Sequence, residues 1–220
     1  MSRDLDGRPA ACRQDEGGTT NQAVLEKMAI REVIENWVLW SDSGDWERFQ
    51  TVWHDDAFMS ATWFEAPARE FVKARREGWE RGVSILHFLS GSSIDLAGDR
   101  AIAQTKMTIS QRGSVHDVEC DVTCHGRFYD FFEKRNGRWA IVLRKCIYEK
   151  DRLDPVDASK SVQLNPQLLG SFPPGYRHLA YLQTCSGYEI RGAPRPGLKG
   201  PQVEALYERG RKWLAGEPIT

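Results

Sequence analysis

The chain has 220 residues, enough for one domain with a sizeable apolar core, and its 30 basic and 31 acidic residues leave a formal net charge of −1. Opposite charges alternate along most of the sequence, so neither nucleic acid nor a membrane surface is an expected partner. No apolar run approaches the roughly 20 residues of a spanning helix, and "MSRDLDGRPAACRQDEGG" lacks the apolar segment of a signal peptide. Five cysteines without a CxxC pair favour a reduced, cytoplasmic protein.

The first part of the chain predicts helices. Residues 1–20 are polar and unpatterned, which indicates a disordered arm, and the domain is expected over 21–157. From Gln22 apolar side chains recur every three or four residues, which is typical of an amphipathic helix. This stripe consists of Ile30, Val33, Ile34, Trp37 and Val38. Gly44 interrupts it, and Asp45 precedes a second short apolar pattern as its expected N-cap.

The middle of the chain predicts strands. "DDAFMSATWF" indicates a short strand, and Pro67 is expected to open a third helix that ends near Trp79. Four β-rich runs follow, at about 84–96, 101–111, 115–132 and 139–148. The clearest turn signal between them is Asn136-Gly137, which favours a tight hairpin. Helices followed by an antiparallel meander predict an α+β fold, with helices covering one face of a curved sheet.

Residues 158–220 form an extension that is rich in proline and is expected to be irregular. One short helix is predicted from Pro201 to Ala215, because proline suits the first turn and Gly216 follows its end. The aromatic stretch "GYRHLAYLQ" indicates that the extension packs on the domain or on a second subunit. His178, which lies in this stretch, is interpreted as structural.

Three segments together resemble a known family. They are "IREVIENWVLWSDSGDWERFQTVWHDDAFM", "HFLSGSSIDLAGDRAIAQT" and "GRFYDFFEKRNGRWAIVLRKCIYEKDRLDPVD", within about 25–157. In this order they resemble the NTF2-like superfamily, in its SnoaL-like polyketide cyclase and dehydratase branch. The resemblance implies a cone, in which a strongly bent sheet is wrapped by three helices around an apolar pocket. It also implies a homodimer or homotrimer and, in catalytic members, dehydratase, isomerase, cyclase or lyase chemistry without a cofactor.

Asp42 and His87 are the candidate acid–base pair. Asp42 lies four residues after Val38, so it continues the apolar stripe of the first helix, where burial would favour a role in proton transfer. Both residues match the carboxylate and the sheet histidine of catalytic relatives. A histidine held by a carboxylate can move protons at a carbon next to a carbonyl or aryl group. The alternatives are that Asp42 only ends the helix and that His87 is a core histidine bonded to a backbone carbonyl.

Further candidates concern substrate binding. Arg144, on the last strand, would bind or stabilise negative charge, unless it forms a salt bridge across the sheet or a dimer interface. Large aromatic side chains suit a flat, ring-bearing substrate, although ordinary core packing explains many of them. The predicted binding residues are Trp37, Trp40, Trp63, Phe88, His125, Phe128 and Tyr129. Trp37 stands where many relatives carry a tyrosine, and an indole cannot act as an acid.

No metal site and no cofactor are expected. Cys124 and His125 would point to opposite faces of a strand, and the sequence holds no nucleotide-binding glycine motif. The preferred interpretation is a cofactor-independent lyase, a dehydratase or a carbon–carbon lyase, that acts on an aromatic or polycyclic hydroxylated small molecule. An isomerase or cyclase of the same fold, a non-catalytic subunit and a small-molecule binding module are the alternatives.

Overall fold

A computed structural model of the chain describes residues 16–190 and 192–219. The helices are α1 (Glu16–Ser43), α2 (Trp46–Phe49), α3 (Ala68–Glu80), α4 (Pro166–Gly170), α5 (Arg177–Cys185) and α6 (Pro201–Leu214), with a 3₁₀ turn at Gln50–Val52. The strands are β1 (Trp53–Ser60), β2 (Glu65–Pro67), β3 (Ser84–Ala97), β4 (Arg100–Val115), β5 (Val118–Arg135) and β6 (Arg138–Pro155). None of these helices is long and apolar enough to cross a membrane.

The strands form one curved, open sheet in the order β2-β1-β6-β5-β4-β3. All neighbours are antiparallel except β1 and β6, which run parallel. The predicted α+β cone is therefore confirmed. The strands β3, β4 and β6 extend beyond the predicted runs, whereas β5 is displaced by three residues, from 115–132 to Val118–Arg135. Asn136 and Gly137 take positive φ angles of 52° and 76°, as the predicted tight hairpin requires.

The junction between α1 and α2 follows the sequence closely. Gly44 has a φ of +76°, and a Cβ on it would lie 3.1 Å from the ring of Trp79, so both conformation and space favour glycine. The Asp45 carboxylate then accepts the backbone N–H of Arg48 at 3.2 Å and caps α2. Asp45 is therefore the N-cap of α2, as predicted. The first helix begins earlier than expected, at Glu16, while the rest of the predicted arm lies outside the described residues.

The two faces of the sheet are covered by different parts of the chain. On the concave face, α1 packs against β3 and β6 and α3 against β1, with Ile34, Trp37 and Phe71 among the buried side chains. On the convex face, α6 buries Val203, Leu206 and Trp213 in a second apolar cluster. Burial of such side chains contributes about 1.5–3 kcal/mol each and holds both layers in place.

The C-terminal extension is more regular than the sequence predicts. Besides the expected α6, it forms α4 and α5, and α5 contributes Leu179, Ala180 and Leu182 to the concave core. The N-cap residue of α5, Tyr176, provides no side-chain cap. Asp151, on β6, supplies it instead and accepts the backbone N–H groups of His178 and Leu179 at 2.7 and 2.8 Å. A local pattern cannot reveal a helix that is capped from a distant strand.

Candidate active site

Asp42 and His87 meet in the concave core. The last turn of α1 carries Asp42 and the start of β3 carries His87, and the two form two bonds. The Asp42 carboxylate accepts the His87 backbone N–H at 2.6 Å, and its other oxygen lies 2.9 Å from His87 Nδ1. Their side chains are only 12% and 8% exposed. When Nδ1 donates to the carboxylate, Nε2 keeps its lone pair and can accept a proton.

Arg75 is a second buried charge at this site. It projects from α3, is 3% exposed, and places Nη2 3.8 Å from Asp42 Oδ1. Its other contacts are long, with Nε and Nη2 each 3.4 Å from Ser41 Oγ. Burial lowers the pKa of Arg75 and the charge of Asp42 opposes that shift, so the group remains a cation beside the pair. The segment "AREFVKARREGWE" reads as an ordinary charged helix, and nothing in it distinguishes Arg75.

Two aromatic rings flank the imidazole. The ring centroids of Trp37 and Phe128 lie 5.1 and 6.2 Å from that of His87, and Trp37 meets it edge to face. Trp37 Nε1 is buried and has no hydrogen-bond partner among the described residues. A buried N–H without an acceptor costs about 1–3 kcal/mol, so this group is available to an acceptor that enters the site.

A small cavity lies beside the pair and has a volume of about 40 Å³. It is lined by Trp37, Met59, Ala61, Thr62, Trp63, Phe71, Arg75, Ile85, His87, Ile109, Gln111, Phe128, Cys146, Tyr148, Leu179 and Gln183. That volume holds a few water molecules, whereas pockets for drug-sized ligands measure roughly 300–1,000 Å³. Leu179 and Gln183 both come from α5. The C-terminal extension thus closes the cone from its own chain.

Polar groups line the cavity as well. Thr62 Oγ1 donates to Gln183 Oε1 at 2.7 Å, and Gln183 Nε2 donates to Gln111 Oε1 at 3.1 Å. The Tyr148 hydroxyl accepts the Thr62 backbone N–H at 3.2 Å. Burial raises the pKa of Tyr148 well above its ordinary value, so its phenol stays protonated, and its hydroxyl also forms a hydrogen bond with the Cys146 side chain. A tyrosine hydroxyl at the cavity thus comes from β6, a position that the sequence did not indicate.

Arg144 has a different environment from the one predicted. It forms a bidentate ion pair with Asp130 at 2.6 and 2.7 Å, and both side chains are fully buried. The guanidinium packs on Phe128 and Trp37, with 3.9 and 4.4 Å to the ring centroids, and it does not line the cavity. The cross-strand salt bridge is thus what the structure shows. Arg144 packs against these aromatic rings outside the cavity, and Arg75 is the cation that lines the cavity.

The predicted binding residues fall into two groups. Trp37, Trp63 and Phe128 line the cavity, whereas Trp40, Phe88, His125 and Tyr129 do not. For the residues on strands the two-residue alternation explains the difference, because neighbours such as Phe128 and Tyr129 point to opposite faces. Trp37 and Trp40 lie on α1 instead.

The four residues outside the cavity have other contacts. Phe88 is 58% exposed, and Tyr129 packs on the convex face against α6, with its ring 5.6 Å from that of Tyr207. His125 Nδ1 bonds to Thr108 Oγ1 at 2.9 Å, and the guanidinium of Arg48 lies 5.3 Å from the ring of Trp40.

A second carboxylate–histidine pair lies at the start of α5. Asp151 accepts the His178 backbone N–H at 2.7 Å, and its other oxygen lies 2.8 Å from His178 Nδ1. Asp151 is 1% exposed and His178 is 26% exposed. His178 does not line the cavity. Within residues 16–190 and 192–219, no cluster of three or more His, Cys, Asp or Glu side chains is arranged to hold a metal ion.

Comparison with known proteins agrees with this architecture. Residues 22–145 match the family model of the SnoaL-like domain. Pea pathogenicity protein 2 of Fusarium vanettenii is 36% identical over 96% of this chain and 94% of its own length. A structure from Novosphingobium aromaticivorans, to which scytalone dehydratase activity is attributed, superposes with a TM-score of 0.53 at 19% identity, over 65% of this chain and 99% of that one. The structure of a hexachlorocyclohexane dehydrochlorinase, LinA type 2, superposes with a TM-score of 0.53 at 12% identity, over 67% of this chain and 97% of that one.

Proposed function

Because the chain belongs to the SnoaL-like domain family, we propose that it is a cofactor-independent lyase, in the simplest case a dehydratase, with Asp42 and His87 as its acid–base pair. The observation that carries the proposal is the two-point contact between these residues at a small cavity lined by aromatic rings and a buried cation. Two proteins of the same fold are named as a dehydratase and a dehydrochlorinase, which supports an elimination.

The first step is the removal of a proton. His87 Nε2 takes a proton from a carbon next to a carbonyl group, and the electron pair moves onto the carbonyl oxygen. Asp42 stabilises the imidazolium that forms and fixes its orientation. Arg75 and Trp37 Nε1 donate toward the oxygen that gains negative charge, an interaction that strengthens in the transition state.

The second step is loss of the hydroxyl group. As the electron pair returns to form the double bond, the carbon–oxygen bond of a neighbouring hydroxyl breaks and the His87 imidazolium gives that oxygen its proton. One molecule of water leaves, and the histidine returns to its neutral form. An isomerase shares the first step and differs only in returning the proton to another carbon.

The substrate class follows from the walls of the cavity. Trp37, Trp63 and Phe128 suit an aromatic ring, while Gln111 and Tyr148 can bond to ring hydroxyl or carbonyl groups. The cavity of about 40 Å³ is smaller than any such ring system, so α5 moves aside when substrate enters and the substrate displaces Leu179 and Gln183.

The test is a screen of hydroxylated aromatic ketones with the purified protein, analysed by mass spectrometry. Wild type is expected to remove water from, or isomerise, at least one compound, and His87→Ala is expected to leave the same compound unchanged. Isomers are separated by chromatography, which distinguishes the two outcomes. Equal turnover by wild type and His87→Ala would refute the proposed pair, and ligands recovered unchanged from wild type would favour a binding module.

A further inference from the structure

A groove separate from the candidate active site runs along the convex face of the sheet. It has a volume of about 520 Å³ and lies between β1, β6 and the end of α6. Its apolar wall consists of Phe58, Val142, Leu143 and Trp213, of which Phe58 is 37% exposed. Large apolar side chains that face an open groove on a folded domain are typical of a site that binds a ligand.

The carboxylates in this groove already have partners. Arg135 binds Asp56 at 2.7 Å and Glu133 at 2.5 Å. Arg100 lies 3.9 Å from Glu133, donates to the backbone carbonyl of Trp213, and stacks on that ring at 3.9 Å from its centroid. These four charges balance one another, so they do not determine which ligand the groove prefers.

Two further cations line the groove, of which Arg209 has no carboxylate partner among the described residues and Lys145 has one distant partner. Arg209 forms no ion pair with any described residue, and its Nε is buried without a hydrogen-bond partner. Its guanidinium rests 5.6 Å from the ring centroid of Phe131. The carboxylate nearest to Lys145 among the described residues is that of Glu65, at 3.9 Å, and Glu65 is already bonded to Arg195 at 3.0 Å.

The two cations also influence each other. Burial lowers the pKa of Lys145, Glu65 opposes this shift, and the positive charge of Arg209 lowers that pKa further. Burial likewise lowers the pKa of Arg209. Both cations line the same groove, so an anion bound between them would be attracted by both charges and could accept the unpartnered Arg209 Nε–H.

We infer that this groove is a second ligand site, which binds an amphipathic organic anion. Its carboxylate or phosphate head would lie between Arg209 and Lys145, with the planar guanidinium offering two parallel N–H donors. Its apolar body would extend along Phe58, Val142 and Leu143. The site lies on the face of the sheet opposite to Asp42 and His87, so its occupancy does not depend on the proposed lyase activity.

The test is calorimetric titration of the full chain with octanoate, octyl phosphate and 1-octanol. Octanoate or octyl phosphate is expected to bind at least about tenfold more tightly than octanol, because only the anions form charge-assisted hydrogen bonds. The tighter of the two anions identifies the head group. Arg209→Gln and Lys145→Gln are each expected to weaken binding of that anion by about tenfold.

Two control variants make the result specific. Arg211→Gln lies on the same helix and removes an exposed cation that pairs with Glu208, so it should leave binding unchanged. Arg75→Gln removes the cation of the candidate active site and should also leave binding unchanged. Melting curves establish that each variant is folded. Octanol binding as tightly as both anions, or unchanged anion binding by Arg209→Gln and Lys145→Gln together, would overturn the inference.

Discussion

The chain contains two carboxylate–histidine pairs of nearly the same geometry, Asp42–His87 and Asp151–His178. In each pair one carboxylate oxygen accepts the backbone N–H of the histidine, at 2.6 and 2.7 Å, and the other lies beside Nδ1, at 2.9 and 2.8 Å. Their surroundings differ. His87 lines a small cavity with Arg75 and aromatic rings, whereas His178 is partly exposed outside that cavity and its aspartate also caps α5.

The comparison shows that the contact alone does not indicate catalysis. A histidine that is oriented by a carboxylate can fix a helix as readily as it can move a proton. Only the environment of Nε2 separates the two roles, because a catalytic base needs a reacting atom within reach and water excluded. We therefore propose proton transfer for His87 and an anchoring role for His178.

Asp42→Asn should lower kcat more than any other substitution predicted here and should separate the two pairs by their effect on turnover. An amide cannot stabilise the imidazolium, so kcat is expected to fall by about 10²–10⁴-fold while the protein stays folded. The measurement is steady-state turnover of whichever aromatic ketone the screen identifies. Asp151→Asn is the matched control, with kcat within about threefold of wild type, and equal losses in the two variants would contradict the assignment.

Arg75→Gln should show that the cation beside Asp42 matters for the reaction. Removal of a donor that stabilises developing negative charge typically costs about 10²-fold in kcat. Arg75→Lys is expected to recover part of that loss, because it keeps the charge but not the planar donors. Arg76→Gln, next in the chain and paired with Glu80 on the surface, serves as the control. Turnover by Arg75→Gln at the rate of the Arg76→Gln control would remove Arg75 from the mechanism.

Asp151→Ala should test whether the second pair anchors α5. The substitution leaves two backbone N–H groups of α5 without an acceptor, so the free energy of unfolding is expected to fall by about 2 kcal/mol. Hydrogen exchange at the amides of 177–185 should rise more than elsewhere. Asp154→Ala, which removes an exposed partner of Arg152 on the same strand, should change neither quantity. A stable Asp151→Ala protein with protected α5 amides would exclude the anchor.

Glu26→Gln should give the smallest effect, at a carboxylate outside both pairs. Hydrogen bonds from Lys134 and Trp139 lower the pKa of Glu26 to about 2 and tie α1 to the β5–β6 hairpin. Because the folded-state pKa lies below the unfolded one, this stabilisation is present above about pH 5 and disappears as the pH falls toward about 2.

Denaturant unfolding of wild type and Glu26→Gln across this pH range checks the prediction. The difference in unfolding free energy should be about 1 kcal/mol near neutral pH, since the pair is partly exposed, and close to zero near pH 2. Glu35→Gln, at an exposed pair with Arg31, is the control. A difference that grows on acidification would have the wrong sign for this explanation.

Most of the fold could be predicted from the sequence because the signals that specify it are local. Asp45, Asn136-Gly137 and the apolar stripe of α1 each specify a turn, a cap or a buried face within a few residues. The position of Asp42 on that stripe made it a candidate, and the family resemblance implied its pairing with His87. What the sequence did not reveal depends on contacts between distant segments. Arg75 comes near Asp42 only where α3 meets α1, and α5 is capped by Asp151 from β6.

Arg144 and Tyr129 illustrate the same limit on the candidate site. Both stand beside apolar residues on long strands, and only the pairing of strands shows that Asp130 lies opposite Arg144 and that Tyr129 faces α6. Opposite the step from Phe131 to Phe132, β6 carries an extra residue, Val142, so Val142 and its neighbour Leu143 both face the convex cluster. A strict two-residue alternation read from the sequence cannot account for such a shift.

The most direct test of the central claim is deuterium exchange into a bound ketone in heavy water, followed by NMR for wild type, His87→Ala and His178→Ala. The experiment reports proton removal from carbon whether or not water is lost afterwards. We predict that wild type and His178→Ala exchange the hydrogen next to the carbonyl at similar rates. The exchange rate of His87→Ala is expected to be lower by at least about 10²-fold. Equal exchange by His87→Ala and His178→Ala would show that the two pairs do not differ in function and would contradict the account.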